Sequence, residues 1–268
     1  MVLESAGTSE RKRESRLGKS KKKLRRTVFL LPSAFTVGNI FAGFCAVIST
    51  LHGNYGTAAL AIGIAVVLDG IDGRLARMTG STSDFGLQLD SLADIISFGI
   101  APALLVYSWG LEDFGNFARF SAFVFLICGA MRLARFNAQV QEMKHFAGLP
   151  IPAGAGMVAA TVHFFQVLPD STLFKVALVA MTYILSFLMI STIRYPSLKQ
   201  LNLSRGRSHL NVLLLAILVA GVVWYSQQVL ILIASVYVCS GVVTRVYQFV
   251  KYRIRHSKSL EVEKAESE

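Results

Sequence analysis

The sequence predicts an all-α integral membrane protein, and three observations carry that prediction. Hydrophobic residues make up 53% of the 268 positions, only 16% are charged, and the apolar residues come in long blocks rather than amphipathic stripes. These blocks are long enough for about eight spans, each needing about 20 mostly apolar residues. Basic residues then alternate between the loops as the positive-inside rule requires.

The predicted spans cover residues 28–50, 55–78, 84–109, 116–138, 152–169, 172–192, 209–226 and 228–250. The fifth is short and opens on Pro150-Ile151-Pro152, which obscures its start. With the amino terminus inside, the inner segments hold the basic run together with Lys144, Arg194, Lys199, Arg205, Arg207, Lys251, Arg253, Arg255, Lys258 and Lys264. The outer loops 51–54, 110–115 and 170–171 and the turn near Gln227 carry no Lys or Arg, and one carries Glu112 and Asp113. Both termini are therefore expected in the cytoplasm. Arg119 and Lys175, near outer helix ends, can snorkel.

Three regions follow: a basic cytoplasmic tail (1–27), a transmembrane catalytic domain (28–250) and a cytoplasmic tail of mixed charge (251–268). Ten of the 27 basic residues fall between Arg11 and Arg26, which accounts for much of the net charge of +11. Beside a hydrophobic helix, such a run reads as a topology signal or an attraction to anionic lipid, not as a nucleic-acid site. Because the first apolar block flows into further spans, no cleavable signal peptide is expected. Cys45, Cys128 and Cys239 lie inside apolar blocks without a CxxC pair, and read as buried structural thiols.

Four carboxylates interrupt this apolar sequence. Asp69 and Asp72 close the second span, and Asp90 and Asp94 open the third. Intramembrane acids cost roughly 2.5–3.5 kcal/mol each on insertion scales, and usually mark a functional site. Positions i, i+3, i+4 and i+7 share a helix face, so Asp69, Asp72, Gly73 and Ala76 align, as do Gly86, Asp90 and Asp94. Small residues on these faces allow close approach, and a short polar loop makes the pair antiparallel. The four acids thus converge, and a divalent cation would offset their mutual repulsion. All-oxygen ligands suit Mg²⁺ or Mn²⁺ rather than zinc. No histidine lies in the motif; His52, His145, His163, His209 and His256 are scattered.

About 14 apolar residues, Tyr55 to Leu68, precede Asp69. At 1.5 Å each they span roughly 21 Å, which sets the acids in the cytoplasmic third of the bilayer. Buried polar residues that merely pack helices are the bland alternative. A cation transport path is a rival of another class, but such paths bind near the midplane. Here Arg74 and Arg77 flank the acids, which suits a diphosphate better than a transported cation.

Asp69-x-x-Asp72-Gly73-x-x-Ala76-Arg77-x8-Gly86-x3-Asp90-x3-Asp94 resembles the signature of the CDP-alcohol phosphatidyltransferase family, with every fixed position filled. Further stretches are similar to its phosphatidylserine synthase branch: Thr36-Val37-Gly38-Asn39, Ser97-Phe98-Gly99-Ile100-Ala101-Pro102, Arg132-Leu133-Ala134-Arg135-Phe136-Asn137, Gly148-Leu149-Pro150-Ile151-Pro152 and Ile193-Arg194-Tyr195-Pro196-Ser197. The resemblance covers residues 28–200 and implies a six-helix membrane core, here with two further C-terminal helices. It also implies transfer of a phosphatidyl group from CDP-diacylglycerol to the L-serine hydroxyl, with release of CMP and dependence on Mg²⁺ or Mn²⁺. Glycerol 3-phosphate or inositol phosphate as acceptor, and an ether-lipid donor, are the sibling readings.

By the same resemblance, Asp69, Asp72, Asp90 and Asp94 would hold metal, and Gly73, Ala76 and Arg77 would line the CDP pocket. Asp94 would serve as general base. Arg132, Arg135 and Arg194, with Asn137 and Ser97, are candidates for binding the serine carboxylate or a lipid phosphate. Interfacial anchoring is the plain alternative for the three arginines. A homodimer is implied by the resemblance alone. The last two helices look generic.

Overall fold

The computed structural model describes residues 34–79, 84–139, 148–193, 195, 221 and 224–245; at 76–79, 84 and 139 it describes the backbone alone. Among these residues every regular element is helical. Helix α1 spans Ala34–Leu51 and α2 spans Tyr55–Thr79. Helix α3 (Asp84–Asp94) runs on through a π segment (Ile95–Ile100), an α segment (Ala101–Val106), a second π segment (Tyr107–Leu111) and a 3-10 turn (Glu112–Phe114). There follow α4 (Asn116–Gln139), α5 (Ile151–Phe165), α6 (Thr172–Ile190) and α7 (Ser226–Arg245).

Among the described residues, five stretches are long and apolar enough to cross a membrane: α1, the α3 rod from Phe85 to Phe114, α4, α6 and α7. Helix α2 has span length at 25 residues, and α5 is shorter at 15. The expected seventh span lies almost wholly outside the described residues, as do residues 28–33 of the first.

The third span runs longer than expected, past residue 109, and is not a uniform α-helix. Its first π segment begins right after Asp94 and buries Ser97, Phe98 and Gly99. Pro102 follows within the next turn and lacks the N–H an α ladder would use. A Cβ on Gly99 would lie 2.9 Å from Leu126 Cδ1 of α4, so a side chain there would have to displace the leucine tip. The fifth helix starts at Ile151, with Pro152 in its first turn, where a missing N–H costs nothing. It ends four residues sooner than expected, at Phe165, where Gln166 takes φ 49°.

Two packings organise the core. Helix α4 lies along α6, and α2 lies along α5, whose Ala155 and Ala159 are small and buried, while Gly154 leaves room for Met189 of α6. The facing side of α2 is equally small: Ala58, Ala59, Ala61, Ile62 and Ala65 are buried. Helix α2 meets the α3 rod chiefly at the π segment and the turn beyond it, so its long partner is α5 rather than the expected α3. Helix α1 closes on that π segment: a Cβ on Gly43 would stand 2.3 Å from Ser97 Oγ and 2.8 Å from Ser97 Cα.

The turn before α5 is seated on the end of α6. Gly148 N donates to Ile193 O (2.9 Å) and Leu149 N to Leu188 O (2.9 Å). Gly148 has φ 90°, and a Cβ there would fall 2.3 Å from the Met189 carbonyl oxygen, so two constraints demand glycine. The opposite end of the bundle holds an exposed ion pair from Lys175 to Asp113. Cys128 is buried, Cys45 half-buried and Cys239 exposed, which corrects the expectation for the last; all three are free thiols.

Candidate metal and phosphate-transfer site

The alternation of helix directions brings the end of α2, the start of α3, the start of α1 and the end of α4 to one end of the bundle. There Asp69, Asp90 and Asp94 each offer a carboxylate oxygen within 4.8 Å of the others. Asp94 is buried, whereas Asp69 and Asp90 are half-buried. At that spacing two full charges repel by about 3.5 kcal/mol at an effective dielectric of about 20, so a cation between them relieves a large cost.

Asp72 is buried and held differently. Thr36 of α1 donates its hydroxyl to Asp72 Oδ2, and Asp72 Oδ1 is buried without a hydrogen-bond partner among the described residues. Asp94 Oδ1 is orphaned in the same way. Buried carboxylate oxygens are costly to leave unmatched. Two of them beside a three-acid cluster, with no nitrogen or sulfur donor in the set, fit a hard divalent cation.

Thr36, Asn39 and Gly43 lie at i, i+3 and i+7 and form one polar and small face on an otherwise apolar α1. Ser97 Oγ donates to the Asn39 carbonyl oxygen (2.8 Å), while the Asn39 carboxamide is 1% exposed and neither of its polar atoms has a partner among the described residues. Helix α1 is thus pinned to α2 at Asp72 and to the α3 rod at Ser97. Its spacing pattern was the available sequence signal for Thr36, which carried no role beforehand.

The arginines at i, i+3 on α4 part company. Arg132 is half-buried, stands 5.6 Å from the Phe136 ring centroid, and is within electrostatic reach of Asp94 and Asp69. Arg135 is exposed and donates to Ile190 O at the end of α6 (3.0 Å). Asn137 Nδ2 donates to Ser91 Oγ (2.8 Å), tying α4 to α3 one residue after Asp90. Ser97, Arg135 and Asn137 therefore all make helix-to-helix bonds, and Arg132 alone of the α4 pair faces the acids. Gly73 is half-buried on α2; the side chains of Ala76 and Arg77, and all of Arg194, lie outside the described residues.

An apolar helical bundle whose carboxylates converge at one end fits a broad class, the membrane-type enzymes that gather acidic side chains able to hold a divalent cation. Within that class the family is specific. Residues 29–193 match the family described as CDP-alcohol phosphatidyltransferase, and the chain belongs to it. Three relatives carry more detailed names. A CDP-diacylglycerol–serine O-phosphatidyltransferase of Helicobacter pylori is 32% identical over 238 residues, which cover 87% of this chain and 98% of the relative. One of the same name from Bacillus subtilis is 37% identical over 180 residues, or 66% of this chain and 97% of the relative. An archaetidylserine synthase of Methanothermobacter thermautotrophicus is 35% identical over 168 residues, or 62% and 69% respectively.

Proposed function

We propose that this protein makes phosphatidylserine in phospholipid biosynthesis. It transfers the phosphatidyl group of CDP-diacylglycerol to the hydroxyl of L-serine and releases CMP. The observation that carries this reading is the convergence of Asp69, Asp90 and Asp94 within 4.8 Å in the signature of a phosphatidyltransferase family. Serine as acceptor is supported by two relatives of that name, each matched over nearly its whole length.

Asp69, Asp72, Asp90 and Asp94 would hold Mg²⁺ or Mn²⁺, with Thr36 fixing Asp72. Such a cation, when bound, neutralises charge on the diphosphate and on the departing CMP. Gly73, Ala76 and Arg77 line the CDP pocket: small residues admit the nucleotide and the arginine meets phosphate. Asp94 takes the proton from the serine hydroxyl. The serine oxygen then bonds to the lipid phosphorus as the bond to CMP breaks, and the electron pair leaves with CMP. Arg132 meets the serine carboxylate, supported by its position beside Asp94 and Asp69. Ser97, Arg135 and Asn137 hold the helices that frame this pocket, and Arg194 remains a candidate for binding the serine carboxylate or a lipid phosphate.

The loop charges support eight spans, both termini in the cytoplasm and a site facing the cytosol from the cell membrane. A soluble amino acid and a bilayer lipid can meet at such a depth. A homodimer rests on family resemblance. The experiment is CMP release from vesicles carrying the protein, with CDP-diacylglycerol, serine and divalent metal each omitted in turn. Release needs all three. Release without serine or without metal sinks the proposal, and ion flux without nucleotide turnover would favour a transporter instead.

A further inference from the structure

The Asn39 carboxamide is 1% exposed, and neither Nδ2 nor Oδ1 has a hydrogen-bond partner among the described residues, whichever way the amide is turned. A buried amide left in that state is costly, and helix packing alone gives no reason to keep it. Five buried side-chain atoms lack partners among the described residues, and four of them belong to Asn39, Asp72 and Asp94. The unmet hydrogen-bonding capacity is therefore gathered at the acidic end of the bundle rather than scattered.

Three contacts fix where Asn39 stands. Thr36, one turn before it, donates to Asp72. A Cβ on Gly38 would lie 3.4 Å from Leu68 Cδ1, and Leu68 precedes Asp69. Residues 36 and 38 of α1 thus meet 72 and 68 of α2, an antiparallel register that sets Asn39 level with Asp69. On its other side the Asn39 carbonyl oxygen accepts from Ser97 Oγ (2.8 Å), and Ser97 lies three residues beyond Asp94. In a helix the carbonyl points toward the C-terminus and the side chain leans toward the N-terminus. Helices α1 and α3 run in the same direction, so that lean carries the carboxamide away from Ser97 and toward the level of Asp94. Asp94 and Asp69 themselves approach within 4.8 Å, so the two routes agree.

A cation held by the acids satisfies the orphaned oxygens of Asp72 and Asp94, but it repels an N–H donor. The Asn39 N–H groups need an acceptor that arrives with the cation, and a phosphate oxygen is one. We propose that Asn39 is a further substrate-binding residue, whose Nδ2 donates to a diphosphate oxygen of the CDP-linked lipid. This rests on the reading of the four acids as a metal–diphosphate site. Helix α1 then supplies two neutral donors one turn apart, Thr36 to a carboxylate and Asn39 to the substrate.

The test compares Asn39→Leu with wild type, both full-length and in detergent. Leucine has nearly the volume of asparagine and no polar atom, so the ligand-free Tm should stay level or rise. CDP with Mn²⁺ is the binding probe, read as a rise in Tm. The variant should need about tenfold or more CDP for half of the wild-type shift, as expected for a lost bond to a charged group. In CMP release, the KM for CDP-diacylglycerol should rise by a similar factor while the KM for serine stays within about twofold. Asn39→Ala removes the same amide and should show the same two defects even if its cavity lowers the Tm, so it decides the matter should the leucine variant not fold. A wild-type CDP midpoint and a wild-type KM for CDP-diacylglycerol in either variant overturn the role of Asn39, and a lowered Tm beside them makes it a packing residue. If wild type itself shows no Mn²⁺-dependent shift with CDP, the reading of the acids falls, whatever the variants do.

Discussion

Asp90→Asn separates a metal site from a set of packing carboxylates, because the two readings predict opposite changes in stability. Asp69, Asp90 and Asp94 form three like-charge pairs within 4.8 Å, and neutralising Asp90 removes two of them. At the 4.8 Å limit each pair of full charges repels by about 3.5 kcal/mol at an effective dielectric of about 20. Asp69 and Asp90 are half-buried, so solvent relieves much of this, and a gain of about 1–2 kcal/mol is the reasonable expectation. At roughly 2–4 °C per kcal/mol for a domain of this size, the metal-free variant should melt about 2–8 °C above the metal-free wild type. Mg²⁺ or Mn²⁺ should raise the Tm of the wild type by mass action and barely move that of the variant. CMP release should fall by at least about a hundredfold. The assay is thermal unfolding in detergent with and without metal, paired with turnover. A metal-free variant less stable than wild type, or one that keeps both its metal-dependent shift and its turnover, would refute the argument.

Two further substitutions test how α1 serves the site. Gly43→Ala places a Cβ 2.3 Å from Ser97 Oγ and 2.8 Å from the Ser97 backbone, so α1 must move off the π segment; the expected cost is about 1–3 kcal/mol, read as a lower Tm. Thr36→Val keeps the shape of α1 but removes the donor to Asp72, which leaves a buried carboxylate short of a partner at about 1–3 kcal/mol. Its expected phenotype is a higher metal concentration for half-maximal CMP release with normal membrane insertion, and an unaltered metal requirement would show that Thr36 only packs.

Helical periodicity made much of the site legible. Asp90 and Asp94 at i, i+4 had to share a face, and the short polar stretch before α3 was the sequence signal that returns the chain to Asp69. Periodicity is a local rule, however, and fails where the answer lies on another helix. Thr36 reaches Asp72 across 36 positions, so that pairing leaves no short-range trace. Arg132 and Arg135 share a spacing but not an environment, because the end of α6 offers Arg135 a carbonyl that Arg132 cannot reach. The π segments also escaped, since apolar content scores a π turn and an α turn alike. Gly99 within the first π segment and Pro102 just after it were the available sequence signals.

The central claim is phosphatidyl transfer to serine, and the most direct measurement is the product. Purified protein in vesicles containing CDP-diacylglycerol and Mg²⁺ or Mn²⁺ is supplied in turn with isotopically labelled serine, glycerol 3-phosphate and inositol phosphate, and the lipid fraction is analysed by mass. Label should enter lipid from serine alone, as phosphatidylserine, in equal amount to the CMP released. Label from glycerol 3-phosphate or inositol phosphate at a comparable rate, or CMP released with no serine lipid formed, would contradict it.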